Sequence, residues 1–307
     1  MIKFYIPDGH LEGKTLEIFQ RAGYKVRISD RAYNPSIDDE EILLKRLRPQ
    51  DAPFLLGVGK GDIGVAGTDI IREFELSNPQ LAKNVTKLLD LKFGGTKLAV
   101  AVSADVYPNV KSISDVKKIS DKKFREGDSF VVATEYPAII GDYLSKKKIK
   151  AIIRKPTGKT EAWVVPPTPE ADLIIDTTET GETLRANNCR ILDFVISTSS
   201  YLIANKKTLK DKDKKRKIEE IVKLFEGALK SKGKVNVYLN VEDPKKLDAV
   251  LGSLKDYVKK PTISELYGGG FDIFVVMDEK SLKYILPEIR RKGATSIAIS
   301  DTRLILD

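Results

Sequence analysis

Short apolar runs alternate with helix-patterned stretches through the first two hundred residues, and this alternation most constrains the fold. "IKFYIP" (2–7) reads as a strand, "EGKTLEIFQRAG" (12–23) as a helix closed by Gly23, and "YKVRIS" (24–29) as a second strand. "PQDAPFLLGVGKG" (49–61) reads as a helix with Pro49 near its start, and "DIGVAG" (62–67) as another strand. "KLAVAVSAD" (97–105) opens a new region, where the strands "FVVAT" (130–134) and "AIIRK" (151–155) flank the helix "YPAIIGDYLSKKK" (136–148). "ADLIID" (171–176) and "ILDFVISTSSYLIANK" (191–206) continue the series. Such alternation predicts an α/β architecture with largely parallel sheets. After the lysine-rich helix the order becomes strand "VNVYLNV" (235–241), helix "PKKLDAVLGSLKDY" (244–257), strands "TISELY" (262–267) and "FDIFVVM" (271–277), helix "SLKYILPEIRRKG" (281–293) and strand "TSIAIS" (295–300). That βαββαβ order predicts a separate ferredoxin-like domain.

Composition removes several function classes. No stretch of the 307 residues approaches the roughly 20 apolar residues that span a bilayer. "MIKFYIPDG" lacks the charged, apolar and small-residue regions of a signal peptide, so the expectation is a cytoplasmic protein without membrane contact. One cysteine, Cys189, forms no internal disulfide, and with one histidine there is no Cys/His zinc cluster. The net charge of +9 arises from 53 basic and 44 acidic residues. The excess concentrates in "SKKKIKAIIRK" (145–155) and "NKKTLKDKDKKRK" (205–217), where Asp211 and Asp213 interrupt the lysines. Neither stretch interleaves aromatics for base stacking, so a solvated surface is expected rather than a nucleic-acid footprint. The excess would still draw polyanionic small molecules toward a cleft.

"GKGDIG" (59–64) satisfies the G-x-G-x-x-G pattern of dinucleotide-binding folds, but here the helix precedes and the strand follows, the reverse of what that fingerprint needs. No G-x-x-x-x-G-K-[ST] occurs, and the lone His10 forms no hydrolase triad by spacing. The turn "DTTETGET" (176–183) joins a buried-looking strand to the helix opening "TLRANN". Asp176 and Glu179 would accept hydrogen bonds from vicinal ribose hydroxyls. Thr180, Gly181, Glu182 and Thr183 would offer backbone and hydroxyl donors to a phosphate at the positive end of the helix. The residues alone leave a second reading open, an ordinary βα connection whose threonines cap the helix.

"ADLIIDTTETGETLRANNCRIL" (171–192) resembles the phosphoribosyl-pyrophosphate (PRPP) loop of ATP phosphoribosyltransferase, the family that commits ATP and PRPP to histidine biosynthesis. "RPQDAPFLLGVGKGDIGVAGTDII" (48–71), "LLDLKFGGTKLAVAV" (88–102) and "VVATEYP" (131–137) are similar to that family's D-[IL]-G-x-x-G-x-D, F-G-x-x-[RK]-L and A-T-x-Y-P segments. "KKPTISELY" (259–267) and "KGATSIAISDTRLIL" (292–306) resemble the regulatory domain of its long form. The resemblance implies two periplasmic-binding-protein-like lobes, residues 1–98 completed by 196–231 and residues 99–195 with the PRPP loop, and a regulatory domain over 232–307. It implies substrates in the interlobe cleft, Mg²⁺ with the pyrophosphate, and displacement of pyrophosphate by the adenine N1. ATP would meet Asp8, Gly9, His10, Arg48, Gly67, Thr68, Asp69, Lys97 and Tyr136. L-histidine would inhibit through the C-terminal domain of a homo-oligomer, a hexamer built of dimers. There Thr262, Ser300 and backbone N–H groups near Gly293 and Ala294 suit its carboxylate, and Asn240, Glu242 or Asp301 its ammonium. The chain departs from the family in "PDGHL" (7–11), where P-K-G-R-L is usual, and in "TEAWVVPPTPEAD" (160–172), where E-x5-G-x-A-D is usual. Two other function classes compete: a two-lobed small-molecule binding protein without catalysis, and, on charge alone, a nucleic-acid-associated protein.

Overall fold

The computed structural model describes residues 1–29, 33–258 and 260–306. Lys259 of "KKPTISELY" therefore lies outside the described residues. The chain divides into two compact units, Met1–Glu17 with Lys25–Glu220, and Ile18–Tyr24 with Ile221–Asp307.

In the first unit the strands are β1 (Ile2–Pro7), β2 (Val26–Arg27), β3 (Ser36–Ile37), β4 (Ile42–Leu47), β5 (Ile63–Gly67), β6 (Val85–Asp90), β7 (Lys97–Ser103), β8 (Val131–Thr134), β9 (Ile152–Arg154), β10 (Leu173–Thr178), β11 (Cys189–Ser197) and β12 (Ser200–Asn205). The helices are α1 (Glu12–Arg21), α2 (Asp51–Gly57), α3 (Thr68–Ser77), α4 (Pro79–Ala82), α5 (Ile113–Arg125), α6 (Pro137–Lys147), α7 (Glu182–Ala186) and α8 (Lys212–Ser231), with α1 and α8 ending in the second unit.

Two five-stranded sheets result, ordered β4-β1-β5-β12-β6 and β11-β7-β10-β8-β9. Each has three neighbouring parallel strands, then one antiparallel strand, then an outer strand antiparallel to that. The sheets are therefore mixed rather than largely parallel. The antiparallel strand of each sheet is supplied by chain that has just left the other: β7 follows β6 into the second sheet, and β12 follows β11 back into the first. At this double crossover Thr198 N–H donates to Thr96 O (2.8 Å) and Thr96 N–H to Thr198 Oγ1 (2.9 Å). Two such lobes are those of a periplasmic-binding-protein-like fold.

Central strands are continuous apolar runs because helices cover both faces. Every residue of β7 except Lys97 is buried, and Leu98, Val100, Val102, Val132, Ile140, Leu173 and Ile175 share one core. "YKVRIS" differs from expectation: Val26 and Arg27 pair only with Ile37 and Ser36, in a two-stranded ribbon. β4 is the strand that pairs with β1 from outside, and its alternating exposure marks an edge strand.

The second unit adds β13 (Lys234–Val241), α9 (Leu247–Leu254), β14 (Thr262–Glu265), β15 (Phe271–Asp278), α10 (Leu282–Lys292) and β16 (Thr295–Asp301). Its sheet order β14-β15-β13-β16, antiparallel throughout, is the ferredoxin-like arrangement. Val237, Leu239, Val250, Ile273, Ile285 and Ile289 fill the space between its sheet and helices.

Candidate active site

The PRPP-like turn grows directly from β10. Gly181 has φ +78°, a left-handed conformation that disfavours side chains, and begins α7. Its N–H donates to Thr178 Oγ1 (2.7 Å), and Arg185 Nη2 donates to Thr180 O (2.7 Å), so the loop is held at both ends. A Cβ on Gly181 would stand 2.9 Å from Arg185 Nη1 and 3.1 Å from Ile191 Cδ1. Asp176, Glu179, Thr180, Glu182 and Thr183 line one cavity of about 470 Å³, together with Glu161, Thr177 and Thr178. Gly181 shapes this cavity from behind without lining it. With five residues, α7 contributes little macrodipole, so loop N–H groups rather than a helix end are what an anion would meet. Burial raises the Asp176 carboxyl above its usual range; the Thr177 N–H opposes this, while the charges of Glu161 and Glu135 add to it. Glu161, Glu179 and Glu182 join Asp176 in the lining, and no lysine or arginine does.

A second cavity of about 470 Å³ opens where β1 and β4 end, lined by Asp8, Gly9, His10, Arg48, Pro49, Gln50 and Asp51. The Asp8 carboxylate gathers two arginines here. Its Oδ1 accepts from Arg46 Nη2 (3.0 Å) and its Oδ2 lies 3.7 Å from Arg48 Nε. Arg46 also reaches Glu12 (2.9 Å), while the Arg48 side chain remains 70% exposed.

A narrow space of about 60 Å³ neighbours both cavities, sharing His10 and Gln50 with one and Thr177 with the other. Gly67, Asp69 and Tyr136 line it. Gly67 needs no unusual dihedral, but a Cβ there would stand 2.3 Å from Asp69 Oδ1. Tyr136 Oη donates to Asp69 Oδ2 (2.6 Å), and burial with the Asp69 charge pushes its phenol far above the usual range. Two residues expected at the ATP site line none of these cavities. Thr68 is tied to Ser199, donating its N–H to Ser199 O and accepting Ser199 N–H on Oγ1. Lys97 faces solvent over the Phe194 ring (5.0 Å), in register with Thr178. Gly64 serves packing, since a Cβ would press on Tyr5 Cβ at 3.0 Å.

Sequence reasoning passed over Arg46, Gln50, Glu73, Glu161 and Thr177. Glu73 on α3 accepts the N–H groups of Ala138 and Ile139 (both 2.8 Å), capping α6 across the sheets. Glutamate in an amphipathic helix carries no local signal for such a role.

In the second unit the residues expected at the histidine site do not converge. Asn240 pairs with Thr295 at one end of β16, and Glu242 accepts from Thr295 Oγ1 (3.2 Å). Ser300 and Asp301 pair with Asn236 and Val235 at the other end, and Thr262 sits on the opposite edge strand. The N–H groups of Gly293 and Ala294 are not open to a carboxylate: they close α10 onto Arg290 O and Ile289 O.

Comparison with known proteins gives the family. The family model described as ATP phosphoribosyltransferase (HisG) matches residues 48–227. An ATP phosphoribosyltransferase of Archaeoglobus fulgidus is 40% identical over 83% of this chain and 88% of its own length. One from Solibacter usitatus is 35% identical over 97% of this chain and 96% of its own. In a solved ATP phosphoribosyl transferase (HisG:HisZ) complex from Thermotoga maritima, one chain shares the fold with TM-score 0.57 at 24% identity, covering 74% of this chain and 99% of that one. The chain belongs to the ATP phosphoribosyltransferase family, whose reaction opens histidine biosynthesis by joining N1 of the ATP adenine to the ribose of PRPP with release of pyrophosphate.

Proposed function

We propose that the cavity at Asp176–Thr183 holds PRPP, that the cavity at Asp8–Arg48 holds ATP, and that the reacting atoms meet in the narrow space between them. One observation carries this reading: two cavities at the carboxyl ends of parallel strands in two sheets, with a narrow space that shares lining residues with both. Asp176 and Glu179 take the ribose hydroxyls, and the hydroxyl and N–H groups of Thr180 and Thr183 take the 5′-phosphate, the Gly181 N–H being held by Thr178 Oγ1 and the Glu182 N–H by Thr180 Oγ1. Arg48 and His10 face the ATP phosphates. The N1 lone pair forms its bond to the anomeric carbon as the bond to pyrophosphate oxygen breaks, and the electron pair leaves with the pyrophosphate. Positioning and charge stabilisation, rather than a strong base, serve such a displacement.

Four carboxylates and no cation line the PRPP cavity, so a polyanion enters with its own countercharge. Among the described residues no cluster of three His, Cys, Asp or Glu side chains is placed to hold a metal. Mg²⁺ carried on the substrate phosphates fits both facts, and when bound it offsets charge on the departing pyrophosphate. The second unit is the histidine sensor of a homo-oligomer. Because its polar candidates lie at both ends and both edges of one sheet, the pocket forms where copies of the chain meet. No described helix is long and apolar enough to cross a membrane, in keeping with a cytoplasmic enzyme.

Ultraviolet detection of phosphoribosyl-ATP from ATP, PRPP and Mg²⁺ tests the assignment. Glu179→Gln should raise KM for PRPP, and Arg48→Ala should weaken ATP binding by about 1–3 kcal/mol. Unchanged constants in both variants would remove both residues from the site.

A further inference from the structure

"GKGDIG" takes no part in the cleft. It borders a cavity of about 510 Å³ at the amino-terminal ends of β1 and β5, the opposite end of the first sheet from Asp8 and Gly67. Four lysines, Lys3, Lys60, Lys207 and Lys214, line it against two acids, Asp62 and Asp211. Both acids are already engaged. Asp62 Oδ2 accepts Lys3 N–H (2.8 Å), and its Oδ1 accepts from Thr208 Oγ1 and Lys214 Nζ (both 2.8 Å). Burial by itself would raise the Asp62 carboxyl, but these donors outweigh it, so Asp62 is ionised and neutralises Lys214. Asp211 Oδ1 caps α8, accepting the N–H groups of Asp213 (3.0 Å) and Lys214 (3.1 Å). Lys3, Lys60 and Lys207 pair with no carboxylate among the described residues.

The backbone beneath two of these lysines is anchored. Gly61 lies flat on Tyr5, where a Cβ would stand 2.2 Å from the ring, and Tyr5 Oη donates to Lys60 O (2.7 Å). Buried Asn205 accepts Lys207 N–H on Oδ1 (2.6 Å) and donates through Nδ2 to Leu56 O (2.5 Å). The ammonium-bearing loops are thus set in place before any ligand arrives, which lowers the ordering cost of binding.

We propose that this cavity is a second anion site, separate from the substrate cleft, that takes a run of linked phosphates. Three cations without a carboxylate partner, of which only Lys3 has another side-chain contact among the described residues, its Nζ 5.6 Å from the Tyr5 ring centroid, exceed what one phosphate would satisfy, and the lining offers no aromatic face for a base. The phosphate run has two sources, a free polyphosphate or the tail of a nucleotide.

Calorimetric titration of the full-length chain with sodium tripolyphosphate, and separately with UTP, tests the site. The Lys60→Ala/Lys207→Ala double variant touches no cleft residue, so its KM values for ATP and PRPP should not change. Its tripolyphosphate affinity at this site should fall by about tenfold or more, and salt should weaken wild-type binding. Lys60→Arg/Lys207→Arg should restore it, which separates charge from folding. A parallel loss for UTP shows that the site accepts a nucleotide tail; a loss for tripolyphosphate alone identifies free polyphosphate. If the double variant titrates like wild type with both probes, the proposal is overturned. Any tripolyphosphate held in the cleft survives the lysine changes, so this outcome does not depend on the cleft assignment.

Discussion

Asp176 joins a proposed ribose contact to a stability cost within one residue. Its carboxyl is raised mainly by burial, so the folded chain holds that proton more tightly than the unfolded chain does. Stability is therefore lost as pH rises from the ordinary aspartate value near 3.9 through the raised one, and the loss persists at neutral pH. Asp176→Asn keeps an acceptor for the Thr177 N–H (2.6 Å) but carries no charge. It should melt higher than wild type at pH 7, with the gain disappearing as pH falls toward about 4, while KM for PRPP rises. A melting difference independent of pH would sink the charge explanation. Tyr136→Phe probes the partner lobe. Asp69 is 8% exposed, and losing the tyrosine hydroxyl leaves its carboxylate short of a donor, a cost of about 1–3 kcal/mol by chemical denaturation. Gly181→Val is a poor probe by comparison, since its φ and the nearby Ile191 distort the loop whatever the ligand does.

Among the elements, α3 and α6 depend on each other. Glu73 satisfies two orphan N–H groups at the start of α6, where Pro137 supplies no donor of its own. Glu73→Ala should destabilise by about 1–2 kcal/mol, read as a lower denaturant midpoint, and Glu73→Gln should recover part of it through its remaining oxygen. Equal midpoints for Ala and Gln would show that the cap adds nothing. In the proposed PRPP loop, Thr178→Val removes the acceptor for Gly181 N–H at little change in volume. KM for PRPP should rise while the melting temperature stays nearly constant, because this hydrogen bond orders a loop rather than a core.

For the whole molecule, the proposed histidine response is tested on the proposed assembly, because the polar candidates of the second unit are dispersed over one sheet. Deleting the chain after Ser231 is a harsh test: Ile221, Phe225 and Ala228 of α8 are buried, and Gly227 packs on Leu304 and Leu306. The intact protein is the better subject. L-histidine should lower its initial velocity and release or absorb heat in calorimetry, with an affinity that weakens when dilution dissociates the oligomer. An active full-length enzyme that neither binds nor responds to millimolar L-histidine would refute the sensor assignment.

Local patterns in the sequence determined the strand–turn–helix at 171–186, the βαββαβ series and the continuous apolar strand at 97–103, because side-chain periodicity and turn chemistry are properties of neighbouring residues. They also carried the acids and threonines of the proposed PRPP loop, which one turn holds together. Pairing over distance was decided only by the tertiary structure. Both sheets share one pattern of parallel and antiparallel neighbours, yet the lobes show no repeat in sequence, since that pattern depends on which buried strand edges meet. The same holds for β12 returning to β5, for Tyr136 reaching Asp69 across 67 positions, and for Asp8 gathering Arg46 and Arg48. Gly293 and Ala294 gave the opposite lesson. Their N–H groups look free in the sequence, and folding spends them on the end of a helix.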